Sequence, residues 1–215
     1  ASLNGPVVVG TSYISETSRE GFRWTSAGGI QGVGDLAGGT YMSGMSAVSA
    51  DGTILAGYAD ATGNVEAVLW TEAGGFERMG FMSGGTFTQA FDMSSDGSVV
   101  VGQGNHFATS RDEAFRYTRQ TGMVALGDLA GGDIWSIAYG VSANGSVVVG
   151  RSESASGLEA FRWILTDPET GAGTMVGLGD FTGGSFESNA LGVSGDGAIV
   201  VGWSTSTLGQ EAFIW

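Results

Sequence analysis

The chain has 215 residues, with 22 Asp and Glu against 8 basic residues and a formal net charge of −14. All eight basic residues are Arg, and they form no cluster, which argues against nucleic acid or an anionic membrane as a partner. The absence of Cys excludes a disulfide scaffold, a Cys zinc site and a cysteine nucleophile. No apolar run approaches the roughly 18 residues of a membrane-spanning helix, and we expect any export signal to lie outside this sequence.

Glycine dominates the composition, with 40 residues, and this disfavours helices because each internal Gly costs a helix about 1 kcal/mol relative to Ala. The glycines recur at a regular spacing. A segment that begins with Asn-Gly or Asp-Gly and ends in an apolar run and Gly occurs five times, at 4–10, 51–57, 96–102, 144–150 and 196–202. The offsets between these copies are 47, 45, 48 and 52 residues, which indicates an internal repeat.

Three further segments recur with the first. A segment of the Glu-Ala-Phe-Arg-Trp type occurs five times, at 20–24, 66–70, 113–117, 159–163 and 211–215. A segment of the Leu-Gly-Asp-Leu-X-Gly-Gly type occurs four times, at 33–39, 79–85, 126–132 and 178–184. The fourth segment ends in an apolar residue and Ser, and it leads directly into the next Asp-Gly or Asn-Gly. All four are short apolar runs bounded by Gly, Ser, Asn and Asp, which is typical of β-strands.

Four short strands in about 48 residues are the signature of a β-propeller blade. The sequence therefore predicts an all-β, propeller-like array of four-stranded blades in one repeat domain over residues 1–215, either a five-bladed ring or a fragment of a larger one. The approximate repeats are 4–50, 51–95, 96–143, 144–195 and a half-repeat at 196–215. A parallel β-helix would need shorter rungs, and a β-sandwich gives no reason for this repetition.

The Asp-Gly and Asn-Gly pairs lie between two apolar runs in each repeat. Such pairs favour a type I′ hairpin turn, because both central residues of that turn need a positive φ. We therefore expect a tight hairpin of this type around Asp51, Asp96, Asn144 and Asp196. Each pair would join the last strand of one repeat to the first strand of the next.

The two ends of the chain carry the same half of the repeat, so they cannot complete one another in a shared blade. This leaves three possibilities: a fragment, a ring with one thin blade, or completion by another chain. An unfinished half-blade exposes strand edges and the apolar side chains of Val201, Phe213 and Trp215. The sequence therefore predicts self-association or strand complementation through these three residues.

The repeat resembles the HAF-repeat family of bacterial extracellular proteins. The similarity is carried by Ala-Phe-Arg-Trp at 160–163, Leu-Gly-Asp-Leu-Ala-Gly-Gly at 126–132 and Val-Ser-Ala-Asn-Gly-Ser-Val-Val-Val-Gly at 141–150, and it covers nearly the whole chain. The resemblance implies secretion or display on the cell surface, sometimes as the passenger of an autotransporter, and it implies no established catalytic activity. The His of the family name is Glu in every copy here, and no autotransporter barrel segment is present.

Five equivalent carboxylates begin the second segment of each repeat, at Glu20, Glu66, Glu113, Glu159 and Glu211. A ring fold would place them at one height around one axis, where several oxygens together suit Ca²⁺. The alternative is that each Glu begins its strand at the solvent edge, hydrated or paired with a nearby Arg.

In a repeat protein the shared positions build the scaffold, so we look for function where one copy differs from the others. Trp135 and Glu187 are such departures, and so are Asp92 and Trp203. The two Trp side chains are suited to stacking on a sugar ring or a partner side chain. These four residues are the predicted ligand-binding set, and packing beneath a loop is the alternative for each Trp.

Two functions follow from these features. The first is a non-catalytic surface or secreted propeller that acts in binding, adhesion or self-assembly, with itself, another surface protein or a glycan as partner and no required cofactor. The second is a carbohydrate-binding propeller, and a glycoside-cleaving propeller is the less favoured form of this alternative. Cleavage needs two carboxyl groups about 5–9.5 Å apart, and Asp92, Asp133 and Glu187 are the residues from which such a pair would come.

Overall fold

The structure is a computed structural model that describes Ser2, residues 6–106 and residues 111–215. The described residues form 18 β-strands and no helix, arranged as five antiparallel sheets or blades. Blade 1 contains β1 (Val8–Tyr13), β2 (Arg19–Thr25) and β3 (Gly29–Gly32). Blade 2 contains β4 (Ser43–Val48), β5 (Ile54–Ala61), β6 (Asn64–Thr71) and β7 (Gly75–Arg78). Blade 3 contains β8 (Thr88–Met93), β9 (Val100–Asn105), β10 (Asp112–Thr118) and β11 (Gly122–Ala125).

Blades 4 and 5 complete the fold. Blade 4 contains β12 (Gly131–Val141), β13 (Val147–Ser154), β14 (Gly157–Asp167) and β15 (Ala172–Gly177), and blade 5 contains β16 (Gly183–Val193), β17 (Val200–Ser206) and β18 (Gly209–Ile214). A single parallel bridge between Leu158 and Glu187 joins these two blades. In the part of the chain that the structure describes, no helix is long and apolar enough to cross a membrane.

The predicted blade architecture is confirmed. The first strands of blades 2 to 5 contact one another from blade to blade, whereas the fourth strands contact chiefly their own blade. The blades therefore converge at their first strands, as in a propeller. Each of blades 2 to 5 starts one strand earlier than the sequence repeat, because the strand before each Asp-Gly or Asn-Gly pairs with the strand after it.

In the described ranges the hydrophobic core consists of four clusters, each lying between two successive blades. The apolar run of the first repeated segment supplies both sides of a blade, as Val148 and Val149 show. Val148 packs in the cluster between blades 3 and 4, and Val149 packs in the cluster between blades 4 and 5. This explains why the run is apolar at successive positions, since both faces of its strand are buried.

The five blades form an open arc. In the described part of the chain, the extensive contacts between blades all join neighbours in sequence order, and blades 1 and 5 share no such interface. Val201 in blade 5 is 45% exposed, although its equivalent Val149 in blade 4 is fully buried. Val8 and Ile30 are likewise exposed on blade 1. Each end of the arc therefore presents a blade face that is covered in the inner blades.

The prediction of type I′ turns at the Asp-Gly pairs is wrong. Gly52 has a φ of 77°, but Asp51 is not among the residues with positive φ. The Gly52 N–H donates to the Ser49 carbonyl at 2.9 Å, and the Asp51 carboxylate accepts from the Thr53 N–H at 3.0 Å. Asp therefore serves as a local acceptor within a longer turn, and only the Gly needs the left-handed conformation.

Candidate binding sites

Four of the five repeated carboxylates have the same structural partner. Each accepts a hydrogen bond from the N–H of a Gly in the loop that follows the last strand of its own blade. The pairs are Glu20 with Gly34 (2.8 Å), Glu66 with Gly80 (2.8 Å), Glu113 with Gly127 (3.1 Å) and Glu159 with Gly179 (3.0 Å). The carboxylate thus holds the start of the loop that leads into the next blade.

The individual environments of these carboxylates differ. Glu66 is 2% exposed and also accepts from Arg78 Nε at 2.6 Å. Burial raises the pKa of Glu113, partly offset by the Gly127 N–H. Glu211 accepts from the Ser206 hydroxyl. No group of three Asp, Glu or His side chains able to hold a metal ion occurs in the described ranges.

Trp135 lies on β12 in blade 4, close to Arg151 and Tyr139. The Arg151 guanidinium carbon is 5.0 Å from the centre of the Trp135 ring and 5.9 Å from the centre of the Tyr139 ring. Arg151 therefore makes cation–π contacts with both aromatic rings. A sugar ring stacking on Trp135 from this side would have to displace Arg151.

Glu187 and Trp203 lie together on blade 5. Trp203 is directly opposite Asn189 in the pairing of β16 and β17, and Glu187 precedes Asn189 by two residues. Asn189 and Trp203 therefore share one face of the sheet, and Glu187 lies near them in the stretch between Gly183 and Ser188 where the pairing register shifts. Asn189 is 6% exposed, and its Oδ1 has no hydrogen-bond partner among the described residues.

Asp92 lies apart from these residues. Its carboxylate accepts from the N–H of Val141, the last residue of β12, at 2.9 Å, and Val141 lies six residues or roughly 20 Å along the strand from Trp135. Burial raises the pKa of Asp92 above its usual range. Asp133 forms an ion pair with Arg111 at 2.8 Å. Asp92 is therefore engaged in joining two blades, and Asp133 in a surface ion pair.

The residues predicted for self-association surround the outer part of blade 5. Val201 is exposed on the face that points away from blade 4, and Ile214 lies directly opposite it on β18 with 74% exposure. Phe213 and Trp215 line an open groove with a volume of about 180 Å³ on the other side. Of the three predicted residues, Val201 therefore lies on the exposed face of blade 5, whereas Phe213 and Trp215 lie in a groove of the same blade.

One feature of the site chemistry was not predicted from the sequence. Arg116 on β10 is 5% exposed, and burial lowers the pKa of its guanidinium. It lines a groove of about 400 Å³ between blades 3 and 4, together with Arg119 and Asn144. The only available signal was Arg at the fourth position of a repeated segment, which does not distinguish Arg116 from Arg23 or Arg162.

Comparison with known proteins bears on the fold. No protein-family model matches the chain, and no curated protein matches it. TolB from Acinetobacter baumannii has a similar structure, with a TM-score of 0.56 and 17% identity over 98% of this chain and 51% of TolB. A TolB from Agrobacterium tumefaciens gives a TM-score of 0.55 and 15% identity over 97% of this chain and 69% of that one. Puromycin hydrolase gives 0.57 and 17% over 97% of this chain and 34% of its own.

This chain has a β-propeller fold. The two TolB proteins are β-propellers, and the likeness extends over nearly all of the chain while the chain spans about half of the first TolB. At 15–17% identity the likeness concerns the fold.

Proposed function

We propose that this propeller is a non-catalytic, exported assembly module, in which blade 5 of one copy packs against blade 1 of another. The observation that carries the proposal is the exposure of Val201 at a position that is fully buried in blade 4. Location at the cell surface or outside the cell rests on the resemblance of the repeat to HAF-repeat proteins.

The internal interfaces supply the physical argument. Each of the four clusters joins the forward face of one blade to the backward face of the next. Blade 5 presents a forward face with Ile199, Val201 and Ile214 exposed, and blade 1 presents a backward face with Val8 and Ile30 exposed. If the backward face of blade 1 packed on the forward face of blade 5, each Å² of apolar surface buried would stabilise the assembly by about 25 cal/mol. The contact is head-to-tail, because two different surfaces meet.

Light scattering after size exclusion tests the assembly. We expect the mass to rise above 21.8 kDa as the concentration rises, and Val201→Asp to return the protein to a monomer. Leu208→Asp is the matched control, because Leu208 is 85% exposed at the turn between β17 and β18 and outside the proposed contact. A monomer at every concentration would contradict the proposal.

Mixing two variants tests the head-to-tail geometry. Val201→Asp leaves the blade 1 face intact, and Val8→Asp leaves the blade 5 face intact. Each variant alone should be monomeric, and an equimolar mixture should form a dimer and nothing larger. If the mixture stays monomeric while the unmodified protein assembles, the contact lies elsewhere.

A further inference from the structure

Arg116 is a nearly buried positive charge with no negative partner in the described structure. Its Nε donates to the Gly145 carbonyl at 3.1 Å, across the boundary between blades 3 and 4. The ion pairs of the described residues involve Arg78, Arg111 and Arg119, so no carboxylate oxygen there lies within 4 Å of Arg116. Buried charges in proteins are normally paired, because removing a charge from water is costly.

The groove beside Arg116 is open to solvent and contains no acidic residue. Its walls include the polar side chains of Arg116, Thr118, Arg119 and Asn144 and the apolar side chains of Leu165 and Pro168. Arg119 is already neutralised by Glu77, with Nη2 to Oε2 at 2.7 Å. The chain has a net charge of −14. The groove nevertheless contains two of its eight Arg residues and is lined by no Asp or Glu.

Blade 4 differs from blades 2, 3 and 5 in the charge of the turn that Arg116 contacts. The three turns at Asp51, Asp96 and Asp196 have a carboxylate where blade 4 has Asn144. The Asn144 Oδ1 accepts from the Ser146 N–H at 3.1 Å, as the Asp carboxylates do in their turns. The same hydrogen bonds therefore hold the turn, while its negative charge is absent and an amide Nδ2 donor is present instead.

The next boundary between blades provides an internal comparison. Arg162 is equivalent to Arg116, and its Nη2 donates to the Gly197 carbonyl at 3.0 Å. The residue before Gly197 is Asp196, whose carboxylate accepts from Ser194 and Ala198 in its own turn and forms no ion pair with Arg162 in the described structure. Arg162 also lies over the Trp215 ring, 5.6 Å from its centre. Arg116 has the same carbonyl contact, but in the described structure no aromatic ring lies over it, and the turn that it reaches has the uncharged Asn144 in place of Asp.

We propose that the groove at Arg116 binds a carboxylate group. The guanidinium has donors beyond the Nε that contacts Gly145, and a guanidinium matches a carboxylate with two parallel hydrogen bonds. Asn144 Nδ2 is the additional donor on the same wall, and Leu165 and Pro168 offer an apolar surface to the carbon chain of the ligand. The carboxylate belongs either to a small organic acid or to an acidic side chain of a peptide.

Thermal unfolding in acetate tests the site. Sodium acetate replaces sodium chloride at pH 7 and constant ionic strength, and saturable binding should raise Tm by about 2–5 °C at tenfold excess over Kd. Arg116→Leu should abolish the shift; Leu is tolerated at this position, since the equivalent Leu69 in blade 2 is 2% exposed. Arg162→Leu is the matched control and should keep the shift.

A second variant tests the missing charge directly. Asn144→Asp restores the residue of the other three turns, so the turn should fold unchanged. We expect a weaker acetate response, because the Asp carboxylate adds a negative charge to the wall of the groove and removes the Nδ2 donor of Asn144. An acetate response that persists in Arg116→Leu, or no response in the unmodified protein, overturns the proposal.

The same assay separates the two sources of the carboxylate. The probe for a peptide is acetyl-Gly-Glu-Gly-amide, added at the acetate concentrations. A stronger response to the peptide than to acetate assigns the site to an acidic side chain, and a weaker one assigns it to a small organic acid. The Tm increase with either ligand must disappear in Arg116→Leu. Both increases can be measured on the monomeric Val201→Asp protein.

Discussion

Gly150 lies where two strands of blade 4 approach most closely. A Cβ built at this position would be 1.9 Å from the Ile137 carbonyl oxygen, next to the β-bulge of β12. The same distance of 1.9 Å recurs at Gly57, Gly102 and Gly202, each opposite a bulge in the preceding strand. The Gly that ends each apolar run is therefore required by a backbone contact, since any side chain would push the strands apart.

Replacing Gly150 by Ala should destabilise the protein strongly. We expect Gly150→Ala to lower the free energy of unfolding by about 3 kcal/mol, because the obstacle is backbone that cannot move without breaking the pairing. Gly10→Ala is the matched control: among the described residues β1 pairs only with β2, so no bulged strand lies on its other side, and the Cβ would meet the Phe22 ring at 2.8 Å. Urea denaturation measures both, and equal losses would contradict the bulge explanation.

At the level of the strand and its loop, the repeated Glu acts as a connector. It lies on the next-to-last strand of its blade and accepts from a Gly N–H 14 residues later in blades 1 to 3, as Glu66 does with Gly80. This hydrogen bond holds the loop at the end of the last strand and fixes the direction in which the loop enters the next blade. An unmade hydrogen bond at a half-buried N–H costs more than the bond contributes when it is formed.

Glu66→Ala should therefore cost about 2 kcal/mol of unfolding free energy, since Gly80 N–H and Arg78 both lose their acceptor. Glu211→Ala is the control on the same strand position, exposed and hydrogen-bonded to a hydroxyl. We expect it to change the free energy by less than about 0.5 kcal/mol. Thermal and urea unfolding check the pair; a loss at Glu211 as large as at Glu66 would exclude the connector role.

The strands and their order were predictable from the sequence because the determining signals are local. Apolar runs, Gly and Asp-Gly pairs recur every 45 to 52 residues, and a blade is built from neighbouring segments. The partner of Glu66 was not predictable, since it depends on where a later loop returns. The uncompensated charge of Arg116 depends on side chains from two blades. The turn type was missed because Asp51 bonds within its own turn in place of adopting a positive φ.

At the scale of the molecule, an open arc of blades has unequal stability along the chain. Blade 3 is covered on both faces, and Val100, Val101 and Phe115 are fully buried. Blades 1 and 5 are covered on one face. In a linear array, stability is a sum of intrinsic and nearest-neighbour terms, so the ends open at lower free energy than the middle.

Hydrogen exchange measures this gradient. On the monomeric Val201→Asp protein, we expect the slowest amide exchange in β9 and β10 and the fastest in β1 to β3 and β18. Adding Gly202→Ala strains blade 5, because its Cβ would lie 1.9 Å from the Asn189 carbonyl oxygen. Exchange should then accelerate in blade 5 and remain unchanged in blade 2, since the nearest-neighbour terms of blade 2 are intact. Equal acceleration in all five blades would instead mean that the arc unfolds as a single cooperative unit, as a closed ring would.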